Sequence, residues 1–178
     1  MRSPPTERRL SLDDLQTSCP RLTPASGQFM ADAAAVCLEE QGHGREVPLR
    51  VSGTFRGTYR LHRSEVTEQM RGSYDPDEAT EFGACGVAIL VIRDQTGHTV
   101  QRAFRGNGFD YWIGTVEAER PFQQMARLEV SGIRRGGPRL VRARLRQKLA
   151  QVRSSDVTLP AYAIVVEFSR PEARVEQV

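Results

Sequence analysis

Residues 75–92 constrain the fold more than any other stretch. Asp75-Pro76-Asp77-Glu78 reads as a helix start, with a capping acid, proline at the first helical position, and acids in the first turn. The run 84–92 that follows (ACGVAILVI) is apolar on nearly every side. A helix of that kind has no face to give to water, so its C-terminal half is expected to be deeply buried. Residues 87–92 are rich in β-branched side chains and would also suit a strand. The helix start and the overall length favour helix, and Gln95-Thr96-Gly97 closes it.

The remainder must supply the cover. Before this helix, Thr23-Pro24 starts another, with Met30, Ala33, Ala34, Cys37 and Leu38 at helical spacing and Gly42 at its end. Val47, Leu49 and Val51 then alternate, and Phe55, Tyr59 and Leu61 follow Ser52-Gly53, giving two short strands. Residues 64–71 suit a short helix. After the buried helix come strands over 99–105 and 109–116, joined by the turn Gly106-Asn107-Gly108. Residues 117–121 form a charged loop. A third strand spans 125–133, a helix spans 138–152 after Gly136-Gly137-Pro138, and an apolar, central strand spans 161–168. The segment 1–22 mixes proline, serine and charge, and reads as a flexible or loosely docked arm. The tail 169–178 reads as polar. The expected organisation is one α/β domain over 23–178 with a mixed sheet.

With 178 residues the chain can bury one real core, and 39% hydrophobic against 26% charged residues is globular. No apolar run is long enough to span a membrane, and no signal-peptide core is visible. Cys19, Cys37 and Cys85 are odd in number and widely spaced, which points to a reducing, cytoplasmic setting and idle thiols. The histidines are isolated and have no metal-ligand spacing. A net charge of +3 suits a polyanionic partner without demanding one.

Two carboxylates carry the functional reading. Asp110 follows the Gly-Asn-Gly turn, and Glu129 sits in the next apolar strand on the same face as Ser131. If those strands pair as a hairpin, Asp110 and Glu129 converge, and such a pair can hold magnesium. Residues 134–153 add Arg134, Arg135, Arg139, Arg142, Arg144, Arg146, Lys148 and Arg153 with no acid. Arg139, Arg142, Arg146 and Arg153 form a stripe beside the apolar one, which can track phosphates or be a solvated face.

At these residues the chain resembles the PD-(D/E)XK nuclease superfamily, over roughly residues 75–168. The shared features are the order helix–strand–strand–strand–helix–strand, an acid on the second strand, and Glu-x-(Lys) on the third. The resemblance implies a restriction-endonuclease-like core, extended at its N-terminal side by a helix and strands. It implies a magnesium- or manganese-dependent endonuclease acting on DNA, in a restriction or defence system. Asp110, Glu129 and the Val130 carbonyl would hold the metal, with an acid of the first helix, Glu78 or Glu81, joining them. Phe109 replaces the motif's proline. Ser131 replaces its lysine, a serious departure. Some members supply the cation from the following helix, where Lys148, the only lysine among 25 basic residues, is the candidate and Gln147 a polar helper. Two other readings stay open. One is a catalytically inactive protein of the same fold that holds nucleic acid, a protein partner or a second copy of itself. The other is an interaction domain unrelated to nucleic acid.

Overall fold

In the computed structural model, described over residues 8–117, 125–154 and 158–178, thirteen elements follow one another. They are β1 (Arg8–Ser11), α1 (Asp14–Thr17), α2 (Pro24–Glu40), β2 (Glu46–Gly53), β3 (Gly57–His62), α3 (Glu68–Arg71), α4 (Pro76–Thr96), β4 (Thr99–Arg102), β5 (Tyr111–Gly114), β6 (Ala126–Ile133), α5 (Pro138–Arg153), β7 (Ala161–Glu167) and β8 (Glu172–Gln177). The strands make one eight-stranded mixed sheet in the order β1-β3-β2-β8-β7-β6-β5-β4. At one end β4, β5 and β6 run antiparallel, and β7 lies parallel to β6. The fold is therefore α/β, a mixed sheet flanked by helices. No helix among the described residues is long and apolar enough to cross a membrane.

Local chemistry sets the element ends. The Asp75 carboxylate accepts from the backbone N–H of Asp77 and Glu78, and the Glu78 side chain returns to the Asp75 N–H, a capping box that starts α4. Gly97 ends that helix in the left-handed region, at φ +70°. Thr23 caps α2 by accepting from the Ser26 N–H at 3.1 Å.

The apolar character of α4 all round has a simple cause. One side of α4 lies on β6 and β7, and α2 covers the other. A Cβ built on Gly83 of α4 would sit 2.8 Å from the Ala34 Cα of α2, so the two backbones approach closely. Leu128, Val130, Ile164 and Val166 share the α4-side core, whereas Ile133, Ala163 and Val165 pack with Val141 and Leu145 of α5. The central strands β6 and β7 are covered on both faces. By contrast β2 alternates exposed and buried residues, because α5 does not extend over that part of the sheet.

Two expectations change. The lead-in is docked from residue 8 onward: β1 pairs with β3, and Leu10, Leu12, Leu15 and Cys19 are buried. Residues 1–7 of the expected arm lie outside the described residues. The tail read as polar holds β8, an interior strand between β2 and β7. Ala173 and Val175 face the core, and the intervening charges disguise the strand. Glu172 is buried, accepting from Arg50 at 2.8 Å and Ser52 at 3.2 Å. Of the expected charged loop 117–121, only Glu117 is described.

Candidate functional site

The register of the β5–β6 pair brings the two carboxylates together. Tyr111 is opposite Leu128, so the next position places Asp110 opposite Glu129. Although β5 begins at Tyr111, the ladder extends to Asp110, whose N–H donates to the Leu128 carbonyl at 2.9 Å. Asp110 Oδ2 accepts from the Val130 N–H at 2.9 Å, which fixes the side chain across the end of β5. Arg102 approaches its Oδ1 at 3.4 Å. Glu129 projects to the α5 side and is only 2% exposed. Lys148, one turn of α5 beyond Arg144, donates to Glu129 Oε1 at 2.5 Å.

The Asp110 and Glu129 carboxyls lie within hydrogen-bonding reach of each other. Burial raises the Glu129 carboxyl from 4.5 to about 7, and the Asp110 charge pushes the same way. The Lys148 ammonium only partly opposes them. The pair therefore carries more negative charge than its own surroundings neutralise.

A cleft of about 680 Å³ opens beside the pair. Asp77, Thr80 and Glu81 of α4 line one side; Asp110, Val130 and Ser131 line its floor; Arg134, Arg135, Arg144, Gln147 and Lys148 line the other. Arg144 Nη1 donates to Ser131 Oγ at 2.9 Å, so an arginine fills the space beside the strand position where the motif has lysine. Arg134 is paired with Glu40, and Arg135 donates to Gln41 at 3.1 Å. Backbone direction accounts for Val130. Arg127 and Ile133 bond on the β7 side, through Pro160 and Phe168, and Leu128 bonds on the β5 side. The alternation sends the Val130 N–H and carbonyl toward β5, where the strand has ended and the cleft begins. A second cavity of about 500 Å³ touches the same pair and is bounded by the 103–110 loop and Gln151.

No family model, no curated protein and no solved structure matches the chain. The chemistry of this site therefore carries the functional reading.

Of the residues singled out from sequence, Asp110, Glu129, Val130, Ser131 and Lys148 meet here. Glu78 does not, because its exposed side chain serves the α4 capping box; Glu81, one turn on, lines the cleft instead. Arg139, Arg142, Arg146 and Arg153 are exposed. Helical geometry sets them on the edge of the Val141–Leu145–Val152 seam opposite Arg144 and Lys148, so they do not line the cleft. Tyr111 and Trp112 are core residues, 4% and 6% exposed. The sequence reading gave Arg144 no role of its own. Its signal was its place four residues before Lys148, on the same face.

Magnesium takes hard oxygen ligands and is commonly held by one or two carboxylates while keeping waters. Among the described residues no group of three or more His, Cys, Asp or Glu converges. The donor set is two carboxylates and a directed carbonyl, and the raised Glu129 carboxyl marks charge that a cation would relieve. These residues fit the ion.

Proposed function

We propose that the protein is a metal-dependent nuclease-like enzyme acting on DNA phosphodiester bonds, with a restriction-endonuclease-like core over 75–168. One observation carries the reading: two carboxylates from paired strands meet at the mouth of a cation-lined cleft, with the ammonium of the only lysine on one of them. The order α4-β4-β5-β6-α5-β7, with β7 parallel to β6, supports it.

Asp110, Glu129 and the Val130 carbonyl would hold magnesium or manganese. Such an ion polarises a phosphoryl oxygen and lowers the pKa of bound water. The chain's own groups do the rest. The bond from the Val130 N–H holds the Asp110 carboxylate in one orientation. Lys148 keeps positive charge at the carboxylate pair, where the attacking water must lose a proton as negative charge grows on the phosphate. Arg144, anchored by one N–H to Ser131, keeps its other donors for a phosphate oxygen.

The test is cleavage of single- and double-stranded DNA with magnesium or manganese by wild type, Glu129→Gln and Lys148→Ala. Wild type is expected to cut. Glu129→Gln and Lys148→Ala are expected to lose at least about a hundredfold in rate, the share a positioned proton-transfer group contributes. Lys148→Ala should fold normally, because a carboxyl that titrates near neutrality takes a proton rather than remain an unpaired charge. Cutting that survives Glu129→Gln would place the activity elsewhere.

Ser131 favours a second reading, an inactive protein of this fold that binds nucleic acid through the cleft. Its signature is DNA binding that depends on Arg144, with no cleavage under any metal.

A further inference from the structure

The loop between β4 and β5 is tied down yet leaves a large aromatic residue in water. The Ala103 N–H donates to the Asp110 carbonyl at 2.9 Å, closing the loop. Phe109 turns inward and meets Trp112 edge-on, with ring centroids 4.6 Å apart. Gln151 Nε2 of α5 reaches the Gly108 carbonyl at 3.4 Å. Gly106 and Gly108, at φ +101° and +79°, carry the reversal. Phe104 points the other way and is 82% exposed, well above every other exposed large apolar residue among those described. Arg102 and Arg105 flank it, both exposed.

Phe104 and Arg105 form the outer wall of the second cavity, and Asp110 and Glu129 form its inner end. Asp110 lines both cavities, so the two are continuous through the carboxylate pair. One arm presents Arg144 and Lys148, groups that match phosphate. The other presents an exposed aromatic ring beside arginines, which matches a nucleobase next to its backbone.

We propose that the second cavity receives an unpaired nucleobase stacked on Phe104, and that the strand threaded past Asp110 and Glu129 is single-stranded DNA. The inference rests on the nucleic-acid reading of the site and names its substrate form. A base within a duplex has both faces covered by its neighbours and cannot offer one to Phe104. An unpaired base can, and aromatic stacking recognises it without regard to sequence.

Binding without divalent metal tests this apart from cleavage. Oligodeoxythymidylate and a duplex of equal length are titrated in EDTA against wild type, Phe104→Ala and Phe104→Trp. Phe104 is exposed, so neither variant disturbs the core. Phe104→Ala is expected to weaken oligodeoxythymidylate binding about tenfold and leave duplex binding unchanged. Phe104→Trp is expected to keep wild-type affinity, and its exposed indole should be quenched by the single strand. Trp112, the only native tryptophan, is buried and supplies the wild-type baseline. Single-strand affinity indifferent to Phe104→Ala, an equal loss on the duplex, or an unquenched indole would each overturn the proposal. If cleavage requires Glu129 but affinity ignores Phe104, this inference fails alone. If affinity requires Phe104 but no metal supports cleavage, the enzymatic reading fails alone.

Discussion

Glu129 gives the most direct residue-level test. Its carboxyl is raised from 4.5 to about 7 in the folded chain, by burial first and by Asp110 second. A raised carboxyl favours folding in its protonated form. Its contribution is fully present below pH 4.5 and is lost as pH rises through about 7. The metal-free stability of wild type relative to Glu129→Gln is therefore expected to fall across that window. The fall should be on the order of 1 kcal/mol, since solvent and Lys148 offset part of the full shift. Urea unfolding of both proteins at pH 4.5 and pH 7.5 in EDTA measures it, and a constant difference would remove the argument. Magnesium at pH 7.5 should restore much of the loss to wild type and little to Glu129→Gln, because binding to the native state alone stabilises it. The convergence of Asp110 and Glu129 was legible in the sequence, because a turn and two alternating strands define a hairpin register. The role of Glu78 was not. A first-turn acid can cap its helix or face a site, and only the packed helix shows which.

At the scale of elements, α5 has two basic edges with different surroundings. Arg144 and Lys148 look into the cleft, whereas Arg142 and Arg146 stand exposed beyond the apolar seam. Charge reversal should separate them. Arg144→Glu is expected to weaken DNA binding about tenfold or more and to reduce the salt slope by about one, as for loss of a direct phosphate contact. Arg142→Glu with Arg146→Glu should cost no more than about threefold, since exposed charges a Debye length from the strand are largely screened. Binding measured at several salt concentrations decides, and the reverse ranking would move the DNA to the outer face of α5. The stripe was readable as a pattern at helical spacing. Its direction was not, because both edges of the seam carry arginine and the sequence does not say which edge meets β6.

For the whole molecule, β8 is the strand that joins two halves of the sheet. It pairs with β2 on one side and β7 on the other, so its loss would separate β1-β3-β2 from β7-β6-β5-β4. Removing residues 172–178 is expected to abolish the cooperative thermal transition. Both exposed edges would lose their ladder bonds, and Val175 and Ala173 would leave the core. A truncated chain that melts near the wild-type temperature would contradict this. Gly132 shows the same dependence on distant parts: a Cβ there would lie 2.2 Å from the Thr80 carbonyl oxygen of α4. The cleft owes its shape to that close crossing of helix and strand.

The local pattern of the chain determined by itself that Asp75 starts a helix, that 84–92 lies inside, and that Asp110 and Glu129 sit on neighbouring strands. Capping, periodicity and turn chemistry act over a few residues, and a few residues are enough to read them. Tertiary structure alone decided that Ala173 and Val175 belong to an interior strand, that Glu78 turns away from the cleft while Glu81 lines it, and that Arg144 takes the place beside Ser131. Each of these depends on a partner far along the chain: β2 for β8, the helix α4 over β6, and the helix α5 under it. Such pairings are selected by the burial of the whole sheet, and no local window contains both members.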